Sequence, residues 1–135
     1  MITTESGENN YFTQISNGIA SINADTAKDK NGSGDYFRPH DLIGAGFASC
    51  LNITVRMVLE RMNLTYEKVI TKVDLDREDD ATTFLYQVEI VGDMDEATKA
   101  RVIAKALDCP VRKTLSNKID FQPFTNNAER EVSKS

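Results

Sequence analysis

Residues 42–55 form an uncharged run, LIGAGFASCLNITV, in the middle of an otherwise acidic and polar chain. Pro39 opens it, a residue suited to the first turn of a helix because its missing N–H would have no partner there. Asp41 follows, placing negative charge near the positive end of the helix dipole. The sequence therefore predicts a helix of about 22 residues from Pro39. Its apolar residues, Leu42, Ile43, Phe47, Leu51, Ile53, Val55, Met57, Val58 and Leu59, surround the axis instead of forming one stripe. A helix apolar on all sides is buried, inside its domain or against another subunit. The uncharged run is too short, and too rich in Gly, Ser, Asn and Thr, to be read as a membrane span.

The remaining segments fit around this helix as an α+β domain. Asn17-Gly18 stands between two short alternating runs in residues 11–24, which predicts an N-terminal β-hairpin with a two-residue turn. Residues 25–38 are polar and glycine-bearing, a connection long enough to be a functional lid or a disordered loop. Residues 66–76 and 83–91 alternate apolar and charged positions, predicting two strands with one solvated face. Residues 95–108 predict an amphipathic helix with an acidic start. Pro110 starts a shorter helix over VRKTLSN, and IDFQPF, 119–124, reads as a closing strand. No internal repeat appears, so the 135 residues are read as one domain, 1–135, with loose tails at 1–9 and 125–135.

Charge and cysteine usage narrow the function. Sixteen Lys and Arg against 21 Asp and Glu give a net charge of −5, without a basic run to track phosphates, so nucleic acid is not an expected partner. The N-terminal MITTESGENN lacks the apolar core of a secretion signal, and neither a membrane partner nor an extracellular setting is expected. A cytoplasmic protein is the expectation. There, a pair of cysteines is redox-active or simply buried more often than a structural staple. One histidine and two cysteines supply too few ligands for a zinc site, and no metal or organic cofactor is expected.

By themselves the cysteines admit two readings. Cys50, in the apolar helix, is either a small core residue or a thiol kept accessible by its small neighbours Gly46, Ala48 and Ser49. Cys109 directly precedes Pro110, at the N-cap of the short helix, where unpaired N–H groups and the dipole favour a thiolate. A mid-helix Cys50 lacks that help and needs a nearby cation to ionise.

The pattern Pro39-x-Asp41-Leu42-Ile43-x-Ala45-x-x-Ala48-x-Cys50, followed by Cys109-Pro110-Val111-x-Lys113-Thr114-Leu115, resembles the osmotically inducible protein C (OsmC) and organic hydroperoxide resistance (Ohr) family. The likeness covers nearly the whole chain in order. It implies an OsmC-like α+β fold: an N-terminal hairpin, a long buried central helix, further strands, a second helix, and an intertwined homodimer. It also implies a thiol peroxidase. Cys50 would attack an organic hydroperoxide and become a sulfenic acid, Cys109 would condense with it to a disulfide, and a dithiol reductant would reopen the bond. Ile43, Phe47 and Leu51 would line an apolar wall for the substrate.

One departure from the family concerns the groups that support the thiolate. Family peroxidases hold it with an arginine from the early loop, oriented by a glutamate just after the helix-opening proline. Here His40 occupies that second position, and Arg38 is the only arginine before Pro39. Arg38, His40 and Asp41 are the supporting candidates, with Arg112 a further cation near Cys109. Ten residues along a helix put His40 about 15 Å from Cys50 of the same chain, so His40 acts on a cysteine only across a dimer interface. The competing reading is a non-catalytic protein of the same fold that binds a small apolar ligand at the dimer interface.

Overall fold

A computed structural model describes residues 1–124. The elements run β1 (Thr3–Ser6), β2 (Thr13–Ser16), β3 (Ser21–Ala24), α1 (Pro39–Arg61), β4 (Lys68–Arg77), β5 (Thr82–Val91), α2 (Glu96–Ala106) and α3 (Pro110–Ser116). The mixed helix and strand composition is the one anticipated. The tail expected at 125–135 lies outside the described residues. Contacts gather into two units: Met1–Ala48 with Lys72–Gln87, and Ser49–Thr71 with the chain from Val88 onward. Helix α1 and strands β4 and β5 each begin in one unit and end in the other.

In the first unit, β1, β2 and β3 form an antiparallel sheet in that order, with Thr3 opposite Ser16 and Thr13 opposite Ala24. The segment expected to be a loose tail at 1–9 therefore contains a sheet strand. Thr3 and Thr4 favour an extended backbone, and β2 supplies hydrogen-bond partners that a sequence reading does not reveal. The hairpin between β2 and β3 exists, but its connection spans residues 17–20 instead of two residues. Gly18 takes the positive φ of 90°, while the Asn17 side chain closes the turn by accepting N–H groups from Ile19 and Ala20 at 2.9 and 2.8 Å.

The long connection 25–38 is folded. Its organiser is Asp25, 5% exposed, whose carboxylate accepts the N–H groups of Thr26 at 2.7 Å and Ser33 at 3.1 Å. A 3-10 turn at Lys28–Lys30 ends on Asn31 in the left-handed region at φ 66°. Gly32 is required by close approach, since a side chain there would collide with the Thr26 carbonyl and the Asp25 carboxylate. The loop closes through a parallel bridge between Ala24 and Phe37, where the Asp25 N–H donates to the Phe37 carbonyl at 3.0 Å.

Within the single chain, helix α1 is covered along one stripe. Phe47, Leu51, Val55, Val58 and Leu59 are buried at helical spacing, whereas Ile43 and Ile53 are each 44% exposed and Met57 is 48% exposed. One stripe is core, and the other apolar residues face outward. At 23 residues, with an 18-residue window of mean hydropathy 1.6, the helix is also long and apolar enough to cross a membrane by length and composition. The uncharged run alone had suggested a shorter apolar segment, because Arg56 interrupts it. A third of that window is buried inside the chain.

Strands β4 and β5 pair, joined by a turn in which the Glu78 N–H donates to the Ala81 carbonyl at 2.8 Å. Helix α2 is capped by Asp95, which accepts the Thr98 N–H at 2.7 Å. The closing strand expected at 119–124 is absent: these residues have no strand pairing, and Phe121 is 90% exposed. Alternation alone does not make a strand when no sheet edge within the chain meets it.

The Asp25 turn gives the first prediction. Burial by itself raises this carboxyl, but the N–H groups of Ser33 and Thr26 outweigh it and hold the group below its ordinary value. A lowered folded-state value stabilises the loop above the unfolded value, and that contribution is lost as the pH falls below about 4. Amide exchange of Thr26 and Ser33 should therefore accelerate at acid pH before the rest of the chain opens. Asp25→Asn should remove most of this acid dependence.

Candidate active site

The two cysteines meet in the second unit. Cys50 rides on α1 seven residues after Ile43 and seven before Met57, on the face that carries those exposed apolar residues, and is partly exposed. Cys109 lies between α2 and α3 and has no exposed surface. Leu51, Val55, Leu59, Val102 and Ala106 of the same unit are likewise fully buried. Both thiols are free, and Cys50 is near enough to act on the Cys109 thiol.

Pro110 explains how α3 is aimed. Cys109 is the N-cap residue, with an extended backbone at φ −70° and ψ 157°, and Pro110 fills the first helical position without an N–H. The first free donor of the helix is then Val111, whose N–H points at the Cys50 sulfur at 3.5 Å. Cys109 itself makes no side-chain capping hydrogen bond. The sequence had assigned the helix-start donors to Cys109 and left Cys50 without help. The structure turns one of them onto Cys50.

Burial pushes the Cys109 thiol above its ordinary value, and the neighbouring Cys50 adds to the rise, while the N–H groups of Arg112 and Val111 pull the other way. The expectation of a thiolate-favouring Cys109 is thus reversed, because desolvation outweighs the helix start. The remaining polar contacts of this unit are structural. Thr54 Oγ1 donates to the Cys50 carbonyl at 2.8 Å, Asn52 Nδ2 donates to the Val69 carbonyl at 2.9 Å, and Arg56 Nε donates to Asn52 Oδ1 at 3.0 Å. Arg112 is occupied at the end of α2, its Nη1 on the Leu107 carbonyl at 3.2 Å.

The other candidates lie in the first unit, except Leu51. Arg38 and Asp41 form an ion pair at 2.9 Å, and Asp41 also accepts the Arg38 backbone N–H at 2.9 Å, the reciprocal half of a capping box. The hydrogen bond and charge of Asp41 raise the Arg38 guanidinium, and Arg38 in turn holds the Asp41 carboxyl below its ordinary value. His40 is engaged by Arg77, Nη1 to Nε2 at 2.9 Å, a contact invisible in sequence because 37 residues separate the two. Since the guanidinium only donates, His40 Nε2 is the acceptor.

The three residues expected to line an apolar wall stand four positions apart on α1 and differ in burial. Phe47 packs against Phe84 and Tyr86, ring centroids 5.7 and 6.0 Å apart. Ile43 is exposed, and Leu51 is a fully buried core residue of the second unit. Among the described residues no group of His, Cys, Asp and Glu is arranged to hold a metal ion.

The Arg38–Asp41 geometry separates two contributions. Asp41→Ala removes both the ion pair and the acceptor for the Arg38 N–H, and should lower stability by about 0.5–1 kcal/mol. Arg38→Ala removes only an exposed ion pair and should leave the urea midpoint unchanged. Equal losses in the two variants would place the effect in the ion pair.

Solved structures share this fold. An osmotic stress induced and detoxification response protein from Psychrobacter arcticus 273-4 superposes with a TM-score of 0.69 at 22% identity, covering 84% of this chain and 88% of its own. An organic hydroperoxide resistance protein OsmC from Legionella pneumophila gives 0.62 at 19% identity, covering 89% and 90%. The organic hydroperoxide resistance protein OhrB of Bacillus subtilis gives 0.60 at 17% identity, covering 89% and 92%. No curated protein matches the sequence. The family model described as OsmC-like protein matches residues 32–123, a span that includes α1, both cysteines and α3. The chain belongs to the OsmC-like protein family.

Proposed function

We propose that this protein is a cysteine-based peroxidase that reduces organic hydroperoxides. The observation that carries the reading is the meeting of Cys50 and Cys109, 59 residues apart in sequence, with the Val111 N–H directed at the Cys50 sulfur. Membership of a family with members named for organic hydroperoxide resistance supports the substrate class. Each step has a residue suited to it. Cys50, the more exposed thiol, attacks the terminal peroxide oxygen; the O–O bond breaks, the alcohol leaves, and Cys50 becomes a sulfenic acid. Cys109 then attacks the sulfenic sulfur, water leaves, and a disulfide forms. A small dithiol returns both cysteines to thiols.

Within the single chain His40 pairs with Arg77 and Arg38 with Asp41, and the polar group directed at the Cys50 sulfur is the Val111 N–H.

Assembly follows from α1. Ile43, Ile53 and Met57 leave a large apolar surface on one helix, which a second copy of the chain covers in the proposed homodimer. Light scattering should give twice the 15.0 kDa chain mass at micromolar concentration. A stable folded monomer would contradict this assembly.

The chemistry is tested by two variants. Cys50→Ser should consume no cumene hydroperoxide, because a hydroxyl is too weakly acidic to replace the thiolate. Cys109→Ser should complete one reaction and stop as a sulfenic acid that dimedone labels, then over-oxidise in excess peroxide. Full turnover by Cys50→Ser would refute the assignment.

A further inference from the structure

The chain contains two Asn-Gly steps, Asn17-Gly18 and Asn31-Gly32. Such a step is open to one reaction without any partner: the glycine nitrogen attacks the asparagine side-chain carbonyl carbon, and ammonia leaves. Glycine permits this because no side chain hinders its nitrogen and its backbone turns freely. In sequence the two steps are chemically equivalent. The fold surrounds them differently, through hydrogen bonds made inside each turn.

At Asn17 the groups that the attack needs are in place. Oδ1 accepts the N–H groups of Ile19 at 2.9 Å and Ala20 at 2.8 Å, so both donors are aimed at the atom on which negative charge grows. The Gly18 N–H, whose proton must leave, donates to Ser16 Oγ at 3.0 Å. A hydroxyl both accepts and donates, so it can pass that proton on to water. The bonds to Oδ1 also restrain the side chain, which opposes closure. They strengthen as charge collects on the oxygen, since a charged acceptor binds N–H groups more tightly, so the promoting effect prevails.

At Asn31 the same groups are tied up. The Gly32 N–H donates to the Ala27 carbonyl at 3.0 Å, an acceptor with no proton to pass on. Asn31 is fixed in the left-handed region at φ 66° and ψ 18°. Gly32 stands against the Thr26 carbonyl and the Asp25 carboxylate, so its nitrogen cannot turn toward the Asn31 side chain without unmaking the loop.

We infer that Asn17 is a site of spontaneous isoaspartate formation and that the fold spares Asn31. The inference involves neither cysteine and does not depend on the peroxidase reading. Ser16 Oγ takes the Gly18 proton and gives its own to water. The Gly18 nitrogen pair forms a bond to Asn17 Cγ, and the carbonyl pair moves onto Oδ1. When that pair returns, the Cγ–Nδ2 bond breaks and ammonia leaves with a proton from water, closing a cyclic imide. Water then opens the imide at Cγ to give aspartate, or at the main-chain carbonyl to give isoaspartate. Either product adds one negative charge to the net −5. In isoaspartate the chain runs on through the former side chain, and the acceptor that closed the turn between β2 and β3 becomes part of the backbone.

The test incubates the full-length reduced chain at mildly alkaline pH, then maps its peptides by chromatography and mass spectrometry for an amide turned into an acid. In the native state Asn17 should convert at least about tenfold faster than Asn31, and in guanidinium the two should convert alike. Ser16→Ala should slow conversion at Asn17 by about fivefold or more, and Ser16→Thr, which restores a hydroxyl, should recover the rate. Circular dichroism confirms that both variants are folded. Native rates that are equal, or faster at Asn31, would overturn the inference. So would a preference for Asn17 that persists in guanidinium, or a Ser16→Ala chain that converts as fast as the wild type.

Discussion

Helix α1 must bury Phe47, Leu51, Val55, Val58 and Leu59 along one stripe while carrying Cys50 outside it, on the face of Ile43 and Met57. The rest of the site follows from that constraint. A cysteine in the centre of the stripe would be sealed in the core. On its own face Cys50 stays partly exposed, and the start of α3 still reaches it, the Val111 N–H pointing at its sulfur. Cys109, the N-cap of α3, is buried.

The two thiols therefore occupy different electrostatic surroundings despite their proximity. Desolvation dominates at Cys109 and disfavours its thiolate. The first donor of α3, the Val111 N–H that follows Pro110, points at the Cys50 sulfur at 3.5 Å and also acts on Cys109. The charged groups near the start of α1 are committed elsewhere, Arg38 to Asp41 and Arg77 to His40.

Much of this was legible in sequence for identifiable reasons. Pro39, Asp95 and Pro110 mark helix starts through local chemistry that tertiary packing does not override, and α1, α2 and α3 begin where these residues place them. The alternation in 66–76 and 83–91 produced β4 and β5. Pairwise relations were not legible. β1 depends on a partner strand, the Asp25 turn on an N–H eight residues away, and the Arg77–His40 contact on 37 residues of intervening chain. The apolar run at 119–124 shows the converse error, in which alternation without a partner strand yields no strand. The sequence shows that α1 is apolar all round, but not which of those residues the chain itself covers.

The central claim is that Cys50 and Cys109 form a redox pair instead of two inert core residues. It is tested most directly by adding one equivalent of an organic hydroperoxide to the reduced wild-type protein, then counting free thiols and measuring the intact mass. The account predicts the loss of both thiols and of about 2 Da per chain, reversed by a dithiol. Two free, unmodified thiols in a folded chain would contradict it.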